Sequence, residues 1–336
     1  MTSHQFAVNS AAHTSAPRRL AIDRARELGF DETRTGRVAL VATELATNIA
    51  QHAREGEVLI RDTGGDDPAI EILALDKGPG ISDLGRAMAD GFSTSGTLGH
   101  GLGSLSRQAD EFEIFSRVDG GTVIVARVGR TDLPRQSSFV FGGVSVAHPK
   151  EQICGDGWIA DWHDEHGSLL VVDGLGHGQG AADASTAAIA SFRSSGESSP
   201  ARIVDDLHSA LRPTRGAALA VASLDLSEGI VRYSGLGNIG ASIISPERKR
   251  THLVSQNGTA GHAARRISEF AYPFRDGSVL VMFSDGLVSS WDPAAYPDLW
   301  SHDPSIIAGV LYRDFSRGRD DVTVIVGKQR RDGAAP

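Results

Sequence analysis

Apolar positions divide the chain into stretches of two different periods. From Pro17 to Phe30 and again from about Thr33 to Ala53 the spacing is helical. Gly29 gives the first of these a stop, and Val38, Val41, Leu45 and Ile49 make the stripe of the second. The runs "EVLIRDT" and "AIEILALD" then read as strands around the turn "GGDDP". A polar, glycine-rich stretch covers Lys77 to Gly99. A short helix is expected at Gly101–Ala109, followed by the hairpin "EFEIFSRV"/"TVIVARV" turning at Asp119–Gly121. This order predicts a first domain over residues 1–130, with helices on one face of a mixed sheet.

Around Arg130 the pattern lapses into "GRTDLPRQSS", polar, proline-containing and without a period, so a linker is placed at 131–137. Strands dominate a second domain, 138–330: "FVFGGVSVA", "GWIADWH", "SLLVVDG", "AALAVASLDL", "GIVRYSGLG", "ASIISPE", "SVLVMFSDG" and "DVTVIVGK". Helices are interleaved at about Ala181–Ser194, Ala201–Leu211 and Ser305–Phe315. Hairpin-length turns between neighbours favour two antiparallel sheets with helices outside them, an α-β-β-α sandwich. The expected class is therefore a two-domain α/β protein.

Composition narrows the function. The 336 residues are 40% hydrophobic and carry a net charge of −9 with no long basic run, which argues against a nucleic-acid or anionic-membrane surface. Cys154 is the sole cysteine, so no internal disulfide is expected. The start lacks a basic segment followed by an apolar core, and the longest apolar runs are strand-length, so the expectation is a soluble cytoplasmic protein.

Chemistry-bearing residues fall into two groups. In the first, Glu44 and Asn48 are four apart on one helix face. Asp76 ends a strand and precedes Gly78 and Gly80; such a carboxylate accepts from an exocyclic amine, and the glycines allow close approach. Gly99, Gly101 and Gly103 precede a helix, where backbone N–H groups cradle phosphate. The triplet lacks both the Lys-Ser/Thr of a P-loop and the G-x-G-x-x-G spacing.

The order Glu-x-x-x-Asn, Asp-x-Gly-x-Gly, glycine triplet, then "GT" resembles the Bergerat-type (GHKL) ATPases, in particular the anti-sigma-factor serine kinases of the stressosome-switch kind. "ELATNIAQHA" and "DKGPGISDLGRAMADGFSTSGTLGHGLGSLSRQADEFEI" carry the likeness over residues 1 to 130. The resemblance implies ATP with magnesium. Glu44 would be the base on a protein Ser/Thr hydroxyl, and Asn48 would hold the metal. Asp76 would read adenine beside Gly78, Gly80 and Thr122, while Gly99, Gly101, Leu102 and Gly103 would wrap the phosphates. Phosphoryl transfer is mostly positioning and charge neutralisation, which such a set supplies.

In the second group, acids sit at strand ends or adjacent turns: Asp156, Asp173, Asp285, and the pair Asp320–Asp321. Unpaired acids beside apolar strands are costly to bury. Several meeting at one sheet edge suit hard divalent cations, and two metals about 3.5–4 Å apart can activate a bridging water for in-line attack on phosphorus. "GVSVAHPKEQICGDGW", "VVDGLGHGQGAADAS", "YSGLGNIGAS", "QNGTAGH", "VLVMFSDGL" and "RDDVTVIV" resemble the SpoIIE-like branch of metal-dependent type-2C protein phosphatases, nearest the stressosome phosphatase. The resemblance implies two manganese or magnesium ions held by Asp156, Asp173, Asp285 and Asp320 with the Gly174 carbonyl; Asp173 and Asp285 are the catalytic candidates. Asp321 would support the loop. A counterpart of the phosphate-binding arginine of eukaryotic members is not apparent. Cys154 reads as a buried apolar residue, and His163 and His166 as solvent-facing in a hairpin turn.

Together these imply a kinase–phosphatase fusion acting on STAS-domain antagonist proteins in a sigma-factor partner-switching pathway, with oligomeric state open and a dimer allowed. The alternative makes the N-terminal half a nucleotide-dependent module that sequesters a sigma factor or STAS partner, leaving only the phosphatase active.

Overall fold

The computed structural model describes residues 2–53, 55–65, 67–88, 102–132, 138–163, 165–196 and 199–330. The chain divides into two compact units, Ser3–Arg135 and Gln136–Ala335. Among the described residues no helix is long and apolar enough to cross a membrane.

The first unit runs β1 (His4–Val8), α1 (Ser15–Glu27), α2 (Glu32–His52), β2 (Gly56–Asp62), β3 (Ala69–Asp76), α3 (Leu84–Met88), α4 (Leu102–Gln108), β4 (Glu111–Ser116) and β5 (Thr122–Gly129). Asp31 caps α2 by accepting from the Arg34 N–H at 2.7 Å. The stripe expected on this helix is the one buried: Val38, Val41, Leu45 and Ile49 pack on Ile70, Ile72, Ile124 and Ala126. The sheet order is β1-β2-β3-β5-β4. Every pairing is antiparallel, a correction to the mixed sheet expected. Two helices separate β1 from β2, one going down and one returning, so β2 re-enters antiparallel to β1 rather than parallel as after a single crossover helix.

Period-2 alternation sorts β3 and β5 into two faces. Ile70, Ile72 and Ala74, with Ile124, Ala126 and Val128, meet the helices. Glu71 and Arg127 lie on the other face, where they form a buried cross-strand row with Arg61 and Glu111. Glu71 is 2% exposed and bound on both sides, so each charge of its pairs has a partner, as burial requires.

The second unit contains β6 (Phe139–Val146), β7 (Asp156–His163), β8 (His166–Gly174), α5 (Gln179–Ser194), α6 (Pro200–Ala210), β9 (Ala217–Asp225), β10 (Ile230–Leu236) and β11 (Gly240–Ile244). There follow β12 (Arg250–His252), β13 (Gly258–Thr259), β14 (Ala263–Ala264), β15 (Phe270–Pro273), β16 (Val279–Phe283), α7 (Pro304–Phe315) and β17 (Val322–Gln329). Two five-stranded antiparallel sheets, β15-β10-β9-β8-β7 and β12-β11-β16-β17-β6, form the middle layers. Helices α5 and α6 cover the first through Ala184, Ala188, Phe192, Ile203 and Leu207, and α7 packs on β6 and β17 of the second. This is the expected α-β-β-α arrangement. The short strands β12 to β15, at two to four residues each, were not expected, and neither was β1.

Candidate active sites

In the first unit the helix-facing columns of β3, β5 and β4 each end in a polar residue: Asp76, Thr122 and Ser116. Ser116 Oγ and Thr122 Oγ1 are hydrogen-bonded at 2.9 Å, and the Ile81 N–H donates to Ser116 Oγ at 2.8 Å. Asp76 Oδ1 accepts from the Gly78 N–H at 2.7 Å and from the Thr122 N–H at 3.3 Å. Backbone N–H groups from two segments thus hold the carboxylate. Gly80 has φ +70°, and a Cβ there would collide with the Arg117 carbonyl oxygen. The loop crosses the β4–β5 turn through an Asp119 N–H to Pro79 carbonyl bond of 2.8 Å, and only glycine allows that approach.

Glu44 and Asn48 stand half-buried one turn apart on α2. Leu102 and Gly103 are buried at the start of α4, which packs against α2. Gly99 and Gly101 lie outside the described residues. The structure therefore gathers Asp76, Gly78, Gly80 and Thr122 around one strand end and puts Glu44 and Asn48 on the helix that lies over that sheet face.

In the second unit Asp156 opens β7 directly opposite Asp173 of β8. Both share the strand face of Trp158, Leu169 and Val171, away from α5 and α6. Asp285 follows β16 and Asp320–Asp321 precede β17, in the other sheet. A hydroxyl ties the sheets together: Ser284 Oγ donates to Asp156 Oδ2 at 2.6 Å and accepts from the Thr323 N–H at 2.9 Å. Asn238 Nδ2 donates to Asp285 Oδ2 at 2.7 Å. The His148 N–H donates to Asp321 Oδ1 at 2.8 Å, whereas Asp321 Oδ2 is buried with no hydrogen-bond partner among the described residues. Gly286 lets the chain after Asp285 pass against the Asp321 carbonyl oxygen, where a Cβ would collide.

Burial, then the neighbouring Asp173, pushes the Asp156 carboxyl well above the usual range. Asp173 is raised to about 7 by burial and by Asp285, Asp320 and Asp321. Asp285 and Asp321 are raised mainly by burial. Among the described residues no three acidic, histidine or cysteine side chains already close around one point as a metal cage. The carboxylates are gathered yet stand apart, as like charges do. The oxygen-only donor set, the raised carboxyls and the orphaned Asp321 oxygen nevertheless fit a hard divalent cation.

Sequence reasoning missed several groups beside this cluster. Ser284 and Asn238 are among them, and so is Arg215. The Arg215 guanidinium lies over Gly180, where a Cβ would stand 2.6 Å from its Cζ, and near Gly176. It therefore covers the loop that begins at Asp173–Gly174, and it makes no ion pair with a described residue. His177 Nδ1 in the same loop donates to Glu151 Oε1 at 2.7 Å, and its ring stacks on His148 with centroids 4.6 Å apart. Asn238 and Arg215 reach the site from segments distant in sequence and no local pattern marks them, whereas Ser284 and His177 sit in the motifs of Asp285 and Asp173 themselves. Cys154 is buried, and burial with Asp156 and Asp321 nearby raises its thiol pKa, so it is no nucleophile. His163 and His166 are exposed.

The family model "Histidine kinase-like ATPase domain" matches residues 7–128, and "Stage II sporulation protein E (SpoIIE)" matches 163–329. The serine/threonine-protein kinase RsbT of Bacillus subtilis (strain 168) is 41% identical over 112 residues, 33% of this chain and 84% of RsbT. The phosphoserine phosphatase RsbX of the same strain is 22% identical over 183 residues, 53% of this chain and 88% of RsbX. A solved chain from work on the bacterial stressosome superposes with a TM-score of 0.53 at 28% identity, covering 56% of this chain and 99% of the other. On these matches the chain belongs to the RsbT-type histidine kinase-like ATPase family and carries on the same polypeptide a SpoIIE-type protein serine/threonine phosphatase domain.

Proposed function

We propose that this chain is a bifunctional regulator of a sigma-factor partner-switching pathway, phosphorylating and dephosphorylating Ser/Thr residues of STAS-domain antagonist proteins. The observation that carries the reading is the meeting of acids from both sheets at one strand end in a chain that also bears the RsbT-like ATPase site.

In the kinase half, Asp76 accepts from the adenine amine while Gly78, Gly80 and Thr122 shape the pocket. Leu102 and Gly103, and by resemblance Gly99 and Gly101, would offer backbone N–H groups to the phosphates, and Asn48 would hold magnesium. Glu44 takes the proton of the substrate hydroxyl as its oxygen bonds to the γ-phosphorus and the bond to the ADP oxygen breaks. In the phosphatase half, Asp156, Asp173, Asp285, Asp320 and the Gly174 carbonyl would hold two magnesium or manganese ions. Bound there, the ions supply an activated water and charge neutralisation. Ser284 and Asn238 orient Asp156 and Asp285, and Arg215 holds the substrate phosphate over the Asp173 loop. Hydrolysis forms a water-oxygen–phosphorus bond and breaks the phosphorus–Oγ bond, returning a Ser or Thr hydroxyl and inorganic phosphate.

Run together on one residue, the two activities would only consume ATP, so they act on different partners or different states of one partner. Purified protein, labelled ATP and a STAS-domain protein test the reading. Glu44→Ala is expected to lower incorporation by about 10²–10⁴-fold, and Asp173→Asn to raise net phosphorylation. If neither change alters net phosphorylation, the catalytic reading fails. Capture of the partner by Glu44→Ala at wild-type strength, with no turnover in either form, would instead support the sequestering module.

A further inference from the structure

Beside the phosphatase site lies an open groove of about 730 Å³ between α6 and the segment after β14. Its walls carry Arg202, Arg212, Arg265 and Arg266 with Asp205 and Asp206, on a chain of net charge −9. Arg212, Arg265 and Arg266 form no ion pair with a described residue, the two aspartates included. All three are exposed, and so their charge is offered to solvent. On a wall of the groove, His208 Nδ1 accepts from the Gly261 N–H at 3.2 Å, which leaves the other ring nitrogen as a donor.

The groove is braced to the acidic site. Ala260 and Ala217 exchange two backbone hydrogen bonds of 2.8 and 3.1 Å. His262 Nε2 bonds the Arg215 carbonyl at 2.8 Å, and the Leu175 N–H donates to the Gly216 carbonyl at 3.0 Å. Gly261, at φ +91°, brings the segment against the Leu211 carbonyl at the end of α6, a backbone conformation that favours glycine. The wall bearing Arg265 and Arg266 is thus tied in three steps to the loop that starts at Asp173–Gly174. Arg212 and Arg215 share the turn that joins α6 to β9 and connect the two places.

We propose that this groove receives an acidic segment of the phosphoprotein, next to the phosphorylated Ser or Thr, and so selects acidic substrates. The proposal rests on the phosphatase reading for the position of the phosphoresidue. Its basis is charge: three exposed arginines, Arg212, Arg265 and Arg266, tied through the β9 turn to a site whose own acids repel an acidic chain. Guanidinium groups there give such a substrate somewhere to bind, and they speed its approach.

The test uses the full chain with manganese and two phosphoserine peptides of equal length, one flanked by Asp/Glu and one by Gln/Asn. Hydrolysis of p-nitrophenyl phosphate reports the metal centre alone. Fluorescence anisotropy of the labelled acidic peptide reports binding without turnover. The acidic peptide is expected to have a KM about tenfold lower, an advantage that shrinks at high salt. Arg265→Glu with Arg266→Glu is expected to raise that KM and the anisotropy Kd about tenfold, leaving kcat, the neutral peptide and p-nitrophenyl phosphate unchanged; the double Lys variant keeps most of the preference. Equal KM values for the two peptides, or an equal loss on both after charge reversal, would overturn the proposal. If the wild type does not hydrolyse p-nitrophenyl phosphate, the phosphatase reading falls, and the anisotropy comparison still decides the groove.

Discussion

In the N-terminal unit the site carboxylate, Asp76, is held by the N–H groups of Gly78 and Thr122, whereas in the C-terminal unit several carboxylates face one another and Asp321 Oδ2 has no hydrogen-bond partner among the described residues. At the first site backbone donors meet the carboxylate, and its specificity is a matter of shape: a glycine turn, three polar strand ends and a helix face. The second is built around an electrostatic deficit, which raises its carboxyls and favours whatever brings positive charge. A site of the first kind is broken by adding atoms. One of the second kind is broken by removing the groups that hold the charges in register.

Gly80→Ala attacks the first site most directly. The new Cβ collides with the Arg117 carbonyl oxygen at a positive φ, so nucleotide affinity measured by titration is expected to fall on the order of 10²-fold. Gly29→Ala is its control. It too has a positive φ, but nothing lies within 4 Å, so it costs only about 1 kcal/mol of stability and leaves nucleotide binding intact. Equal effects on binding would show that shape is not what the Gly80 turn supplies.

Ser284→Ala removes the hydroxyl that donates to Asp156 and accepts from Thr323. Affinity for manganese, followed by calorimetry, is expected to drop about 10–100-fold while nucleotide binding is unchanged. An unaltered manganese isotherm would mean that Asp156 is not held for an ion. Next in size, Arg215→Ala is expected to raise KM for a phosphopeptide about tenfold with kcat nearly constant, and Arg215→Lys to recover part of it. A fall in kcat alone would place Arg215 outside the phosphate contact.

The smallest effect is on stability. Asp156, Asp173, Asp285 and Asp321 bind protons more tightly folded than unfolded, so between the carboxylate range and about pH 7 the folded state carries more protons. Stability then falls as pH rises. In a chelator, the C-terminal transition is expected to melt a few degrees lower at pH 7.5 than at pH 5, and magnesium or manganese to reverse the difference. Asp156→Asn should flatten the dependence. A melting temperature that rises with pH in the chelator would contradict the electrostatic contrast.

Much of both sites could be read before any fold was known, for local reasons. The stripe Val38, Val41, Leu45 and Ile49 specifies α2, and helical geometry alone then puts Glu44 and Asn48 on one face. Apart from Glu71, strand β3 is apolar up to Asp76, which therefore reads as a strand end. β1 escaped because an edge strand with one buried side chain, Val8, has no stripe to show. The short strands β12 to β15 escaped because two to four residues carry no period.

The sequence by itself determined which residue types stand at strand ends, which helix faces are apolar, and where glycine is available. These are local choices, set by side-chain period and by backbone sterics within a few residues. Only the tertiary structure decided that Asp156 and Asp173 share a register, and that Ser284 reaches across 128 positions to hold one of them. It also turned Arg215 onto the glycine loop and gathered arginines from two segments into one groove. Such meetings depend on how two sheets stack and how loops cross. Those depend on burying side chains far apart in sequence, and no local period records which of them will meet.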